Sequence, residues 1–184
     1  MRIITGQYKS RLLKTCKGIR PTEDRIRKAL FDILGEVSDL SFLELFAGSG
    51  SVGFEALSQG AQEVVFVESQ KQSSLAIEEN IKNLGCEAKV RVICQDAFRA
   101  IENMVQKGQK FDLIFLDPPY YKGLAEKILQ TLGEYDILHH SGYIIIQHFK
   151  KDFVVERAGK LVLWRQEQYG DSLLSFYKKI AFGD

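Results

Sequence analysis

Length, composition and charge are those of an ordinary globular protein. The chain has 184 residues, 45% of them hydrophobic and 27% charged, and a net charge of +1; this balance is typical of one compact soluble domain. No run of about 18 apolar residues occurs, so no transmembrane helix is expected, and the first residues lack the apolar stretch of a secretory signal. We therefore expect a cytoplasmic protein.

Positive charge is concentrated at the start of the chain. Residues 1 to 28 carry nine basic side chains and two acidic ones, a charge of +7, which leaves −6 for the remainder. A basic segment on a mildly acidic body favours a polyanionic partner that contacts mainly this segment. Charge alone leaves a second interpretation open, in which the segment is a solvated tail whose charges only help solubility.

The first predicted helix spans about residues 22 to 35. Apolar residues recur at helical spacing between Ile26 and Leu34. Thr22 is a candidate N-cap, and the two acidic side chains behind it suit the positive end of a helix. Residues 1–35 are thus predicted to be a basic extension with a helix, and residues 41–184 the core of the same single domain.

From residue 41 onward, apolar strand-like runs alternate with helical runs. Strands are predicted at residues 41–46, 63–67, 90–94, 111–116 and 142–147, and helices at 51–58, 73–84, 97–106 and about 122–133. Apolar strands that alternate with helices indicate a parallel sheet buried on both faces.

The end of the chain has a different pattern. Residues 160–166 and 173–180 are strand-like and are joined through Tyr169-Gly170-Asp171, which predicts an antiparallel hairpin. Four βα units, a fifth strand and a closing hairpin resemble the seven-stranded, Rossmann-like α/β sheet of methyltransferases. A dehydrogenase sheet usually lacks the closing hairpin.

A glycine-rich loop follows the first strand of this core. Residues 42–50, FLELFAGSG, are predicted to run from that strand into a helix. Small residues at 47, 48 and 50 let a ligand approach the backbone closely, and this turn of an open α/β sheet lies where ligands bind. Gly53 completes a GxGxxG pattern, which is weak by itself; a tight turn without a ligand is the alternative.

Two acidic residues follow the next two strands. Glu68 ends the second strand, where an acid can accept hydrogen bonds from both hydroxyls of a ribose. Asp96 follows the third strand and could accept one from an adenine amino group, with Ala97 and Phe98 beside it to pack on the ring. Either acid could instead be an ordinary helix N-cap.

The most specific motif is Asp117-Pro118-Pro119-Tyr120, at the end of the fourth strand. An exocyclic amine of a nucleic-acid base is a poor nucleophile, because its lone pair is delocalised into the ring. The Asp117 carboxylate can accept one N–H and the Pro118 carbonyl, in a turn restricted by two prolines, the other. The lone pair then points at a methyl donor, and Tyr120 offers a face on which a flipped base can stack. The alternative is a proline-capped strand with a surface tyrosine.

These motifs resemble a known family. ELFAGSG followed by DPPY is similar to the amino-methyltransferases of DNA adenine and RNA guanine. Residues 2–6 (RIITG) with Arg11, then residues 20–22 (RPT), 25–31 (RIRKALF) and 169–172 (YGDS), resemble the RsmD family of bacterial 16S rRNA guanine-N2-methyltransferases. The resemblance covers essentially the whole chain.

The resemblance implies S-adenosylmethionine as cofactor and a guanine of 16S rRNA, in an assembled small-subunit particle, as substrate. It implies catalytic roles for Asp117, Pro118 and Tyr120, and cofactor contacts from Glu44, Phe46, Ala47, Gly48, Gly50, Glu68, Asp96, Ala97 and Thr22. It also implies substrate contacts from Arg2, Lys9, Arg11, Arg20, Pro119 and Tyr120. We further expect a monomer, with no metal and no membrane partner.

Two other functions remain open. A DNA adenine-N6 methyltransferase would use the same two motifs, but such enzymes usually carry a separate target-recognition domain, for which the chain has no room. A ribosome-assembly protein could bind RNA with this fold and without catalysis; the intact glycine loop and Asp117 argue against it.

Overall fold

The computed structural model describes residues 1–16, 22–120, 123–152 and 154–180. Contacts divide the chain into two compact units, Met1–Ala97 and Phe98–Asp184. Among the described residues, no helix is long and apolar enough to cross a membrane.

The first unit is a parallel sheet with three helices. Its strands, in the order β3-β2-β1, are β1 (Ser41–Leu45), β2 (Glu63–Glu68) and β3 (Val90–Cys94), and its helices are α1 (Asp24–Leu34), α2 (Ser51–Ser58) and α3 (Lys71–Leu84), with a 3-10 turn at Glu87–Lys89. All five residues of β1 and all eight of α2 are buried. This burial on every side is what a parallel strand and its crossover helix require.

The second unit is a mixed sheet with two helices. Its strands, in the order β4-β5-β8-β7-β6, are β4 (Phe111–Leu116), β5 (Leu138–Phe149), β6 (Arg157–Ala158), β7 (Leu161–Tyr169) and β8 (Ser172–Lys179), and its helices are α4 (Ala97–Gln106) and α5 (Leu124–Glu134). Strand β4 pairs with β5 in parallel, and the other pairings are antiparallel. Gly170, at a φ of 63°, turns the chain between β7 and β8.

The α/β fold with its C-terminal hairpin is confirmed, with corrections to its details. The described residues form eight strands, not seven, because the two-residue strand β6 is too short to leave a pattern in the sequence. Thr22 is not the N-cap of the first helix: Glu23 occupies that position, and no side chain caps it. Strand β5 begins at Leu138, ahead of the predicted position, and the residues that follow Leu138 are polar and exposed.

Candidate functional site

The glycine turn between β1 and α2 has an unusual backbone. Phe46, Gly48 and Gly50 all have positive φ, at 56°, 54° and 71°. A residue other than glycine held in this region costs on the order of 1–3 kcal/mol, and such strain is concentrated at ligand sites. Phe46 and Gly48 are half-exposed, whereas the residues between and after them are buried. The turn therefore leaves Phe46 and Gly48 accessible from outside.

The carboxylate of Glu68, at the end of β2, is fixed against this turn. One oxygen accepts the backbone N–H of Gly48 and the other that of Gln70, both at 2.7 Å. Gln70, not Glu68, is the N-cap of α3, so the ordinary capping alternative fails for Glu68. Each carboxylate oxygen can accept more than one hydrogen bond, so both oxygens keep the capacity for a further donor; the predicted ribose contact stays a prediction.

Glu44 and Gly53 have a structural role in the same unit. Oε2 of the buried Glu44 accepts the Gly53 N–H at 2.7 Å. A Cβ atom on Gly53 would lie 2.5 Å from the Phe66 ring and 2.8 Å from the Glu44 carboxylate. The third glycine of the pattern thus permits close packing of α2 on the sheet, and Glu44 holds the first turn of that helix.

The remaining predicted cofactor residues differ in exposure. Asp96 is exposed just before α4, Ala97 is buried, and Thr22 is buried ahead of α1. Phe98 belongs to the second unit, where the Lys127 ammonium lies 5.0 Å from the centre of its ring. The cofactor contacts predicted for Asp96, Ala97 and Thr22, like those predicted for Glu44, Glu68 and the glycine turn, stay predictions.

The DPPY turn follows β4 in the second unit. Asp117 and Tyr120 are half-buried, Pro118 is buried and Pro119 is exposed. The Tyr120 hydroxyl accepts a hydrogen bond from Nε2 of Gln147 at 3.3 Å and lies 3.4 Å from the Ser172 hydroxyl. Its ring lies 6.1 Å from that of Phe149. Tyr120 is therefore held by side chains of β5 and β8, and its role in stacking a base stays a prediction.

The N-terminal arm, residues 1–16, is packed on the rest of the first unit. Ile3 and Leu13 are buried, and Arg2 and Leu12 form an antiparallel bridge. A Cβ atom on Gly6 would lie 1.9 Å from the Ser58 carbonyl, so only glycine permits this approach to α2. The interpretation of the arm as a solvated tail is wrong, because its backbone is docked.

A buried ion pair anchors the arm. Arg27 of α1 is 0% exposed and its Nε lies 3.5 Å from the Glu55 carboxylate of α2. Glu55 also accepts the backbone N–H groups of Ile4 and Thr5, both at 2.8 Å, and Arg27 donates to the Arg2 carbonyl at 2.8 Å. Sequence reasoning counted Arg27 among the cations available to a polyanion; the structure removes it from that set.

The other cations of the arm are at the surface. Arg2, Lys9, Arg11 and Lys14 are exposed. Arg11 donates to the Asn83 carbonyl at 2.6 Å, and Lys14 forms an exposed ion pair with Glu79. Arg20 lies outside the described residues, so its predicted substrate contact has no structural description.

The three cysteines and His148 differ in their exposure. Cys16, Cys86 and Cys94 are free thiols, and burial raises the pKa of Cys86 to about 11. Within the described ranges, no group of three or more acidic, histidine or cysteine side chains is placed to hold a metal ion. His148 is buried in β5, and burial lowers its pKa.

Comparison with known proteins identifies the family. The model of the family described as Conserved hypothetical protein 95 matches residues 1–178. A Bacillus subtilis protein named "Putative rRNA methyltransferase YlbH" is 36% identical, over 97% of this chain and 99% of its own. Ribosomal RNA small subunit methyltransferase D of Escherichia coli is 30% identical, over 100% of this chain and 92% of its own.

A solved structure agrees with the sequence relatives. "Putative methyltransferase yhhF" from Escherichia coli superposes with a TM-score of 0.86 at 30% identity, over 97% of each chain. The family model and the relatives each span nearly the whole chain. The chain therefore belongs to the Conserved hypothetical protein 95 family, the RsmD family of methyltransferases that its motifs resemble.

Proposed function

We propose that the protein transfers a methyl group from S-adenosylmethionine to the exocyclic N2 of a guanine in 16S rRNA. The observation that carries the proposal is the DPPY turn at the end of β4, with the Tyr120 hydroxyl held by Gln147 and Ser172. The names of relatives as ribosomal RNA small subunit methyltransferases support the substrate class. The family relation supports an S-adenosylmethionine-dependent enzyme.

The residues of the first unit fit the cofactor. Phe46 and Gly48 are accessible in the turn, and the Glu68 carboxylate is already oriented by two backbone N–H groups. In this proposal Glu68 accepts hydrogen bonds from the ribose hydroxyls and Asp96 accepts one from the adenine amino group. Glu44 supports the turn from behind through Gly53. S-adenosylmethionine supplies a methyl group on a positively charged sulfur, which an amine can attack.

The DPPY residues prepare the amine. The Asp117 carboxylate accepts one N–H of the guanine amino group and the Pro118 carbonyl accepts the other. With both N–H bonds directed to these oxygens, the nitrogen becomes more tetrahedral and its lone pair is freed for attack. The Tyr120 ring stacks on the base and Pro119 contacts it, so orientation and electrostatics supply most of the rate gain. The proton that leaves the nitrogen is the one that Asp117 accepts.

The arm binds the RNA backbone in this proposal. Arg2, Lys9 and Arg11 are exposed on a segment that is already docked, so their charges are presented to phosphates at little ordering cost. Arg20 is assigned the same role from the resemblance. The protein then acts in the cytoplasm, as a single-domain monomer that recognises the small subunit.

The test is methyl transfer from labelled cofactor to three substrates in parallel: naked 16S rRNA, assembled 30S particles and DNA. We expect label in N2-methylguanosine from 30S particles, and none when Asp117 is replaced by alanine. Label in N6-methyladenine of DNA would establish the adenine alternative. Cofactor binding without transfer to any substrate would favour an assembly protein and overturn the proposal.

A further inference from the structure

We infer that Gln147 is a positioning residue for Tyr120: it fixes the aromatic ring in place before the base arrives. This inference rests on the proposed function, because it assigns the ring to base stacking. Gln147 lies on β5 opposite Leu174 of β8, and its Nε2 donates to the Tyr120 hydroxyl at 3.3 Å. Its role is thus exerted through Tyr120.

Fold stability does not explain an amide at this position. Gln147 is 5% exposed and follows Ile144, Ile145 and Ile146, which are completely buried. Its Oε1 is buried and has no hydrogen-bond partner among the described residues. A buried acceptor without a partner destabilises a fold, so an apolar side chain of the same length would suit the core better. The amide is accounted for by the bond that it donates to Tyr120.

Three side chains of the β5–β8 pair together restrain the tyrosine. Gln147 and Ser172 contact its hydroxyl, and Phe149 contacts its ring at a tilt of 35°. Ser172 and Phe149 are directly paired across the two strands. A ring held at both its face and its hydroxyl loses its freedom of rotation during folding, so that this cost is not added when a base binds.

The restraint predicts a specific pattern of coupling between variants. Gln147→Met and Tyr120→Phe should each lower kcat/KM for 30S particles by up to about tenfold, which is the effect of one neutral hydrogen bond. The double variant should be no slower than Tyr120→Phe alone, because Tyr120→Phe already lacks the hydroxyl group that Gln147 contacts. Cofactor affinity and the melting temperature of Gln147→Met should not decrease.

Gln168→Met is the matched control. Gln168 is exposed on β7 of the same hairpin, and its Nε2 donates to the Gly170 carbonyl. We expect it to retain the wild-type rate. Full activity of Gln147→Met or of Tyr120→Phe would overturn the inference. Losses that multiply in the double variant would overturn it as well, since they would mean that Gln147 acts through packing.

A second readout is independent of catalysis. Protein with carbon-13-labelled tyrosine gives a ring signal for Tyr120, which is assigned by its absence in Tyr120→Phe. In the wild-type protein this signal should show that the motion of the ring is restrained. The ring should move more in Gln147→Met and in Ser172→Ala. Unchanged ring motion in both variants would overturn the inference. A wild-type protein that methylates no substrate would remove the proposed function, whereas the ring signal would still decide the role of Gln147.

Discussion

The carboxylate of Glu68 accepts the backbone N–H of Gly48 at 2.7 Å. An acid at the end of β2 is thereby joined to the strained turn after β1. Glu68 is only 7% exposed, so its charge is compensated mainly by the two N–H groups it accepts. In the proposed function, the turn and the acid together form a preformed receptor for the cofactor.

Replacing Glu68 by glutamine should weaken cofactor binding by about 10- to 100-fold, because hydrogen bonds to a charged acceptor are stronger than neutral ones. The glutamine has only one carbonyl oxygen for the two N–H groups. If that oxygen accepts from Gln70, its NH2 group faces the Gly48 N–H, and two donors then oppose each other. Titration calorimetry with S-adenosylmethionine measures the change. Glu63→Gln, at the exposed start of the same strand, is the control, and equal affinity of the two variants would contradict the assignment of Glu68.

The charges of the arm should control the salt dependence of substrate binding. Replacing Arg2 and Lys9 by glutamine removes two phosphate contacts, so the slope of log affinity against log salt should decrease by about 1 to 2. Binding of 30S particles over a salt series measures it. Lys89→Gln with Lys107→Gln removes the same charge from exposed sites outside the arm. If the slope of log affinity against log salt is the same in both double variants, the result would argue against an electrostatic role of the arm.

Much of the fold could be predicted because local pattern and packing agree. The helix Ser51–Ser58 and the strands Val90–Cys94 and Phe111–Leu116 have the predicted bounds, since each is a short run that is closed by clear turn residues. The strand β5 was predicted too short, because exposed polar residues such as His139 hide its beginning.

The docking of the arm could not be predicted from composition. Arg27 is one of three basic residues within four positions of α1, and only the fold brings Glu55 of α2 to it. The contacts of Tyr120 with Gln147 and Ser172 likewise join residues that are 27 and 52 positions away. Long-range polar pairs of this kind leave no periodic signal in a single sequence.

Removing the anchor of the arm should destabilise the protein strongly. Glu55→Ala removes the buried carboxylate beside Arg27, which keeps its ion pair with the exposed Asp24, and it leaves the N–H groups of Ile4 and Thr5 without this acceptor. The expected cost is about 3 kcal/mol, the lower end for breaking a buried pair. Denaturant unfolding measures the loss, and hydrogen exchange should show that the amides of Ile4 and Thr5 lose protection. Glu79→Ala removes the exposed partner of Lys14 and should cost less than about 1 kcal/mol. Similar stabilities for the two variants would contradict the anchoring role.

The buried His148 should make stability depend on pH. Its Nδ1 donates to the Phe149 carbonyl at 3.1 Å and its Nε2 accepts from Ser175 at 2.8 Å, and burial lowers its pKa from 6.5. Below about pH 6.5 the unfolded chain binds a proton that the folded protein resists, so stability decreases as pH falls through this value.

His148→Gln removes this titration and should flatten the decrease. Urea unfolding of both proteins at roughly pH 7.5 and roughly pH 5.5 compares the two slopes. The wild-type protein should lose more stability than the variant over this interval. An equal loss in both proteins would assign the pH dependence to other groups.

Asp117 is proposed to act on the amine and not on the cofactor. The decisive experiment compares Asp117→Asn with the wild-type protein in two measurements: S-adenosylmethionine affinity by calorimetry, and methyl transfer to 30S particles. We predict an affinity within about twofold of the wild type, and a rate lower by about 100-fold or more, the typical effect of losing one oriented electrostatic contact to the reacting group. An Asp117→Asn variant that methylates at the wild-type rate, or that fails to bind the cofactor, would contradict this role of Asp117.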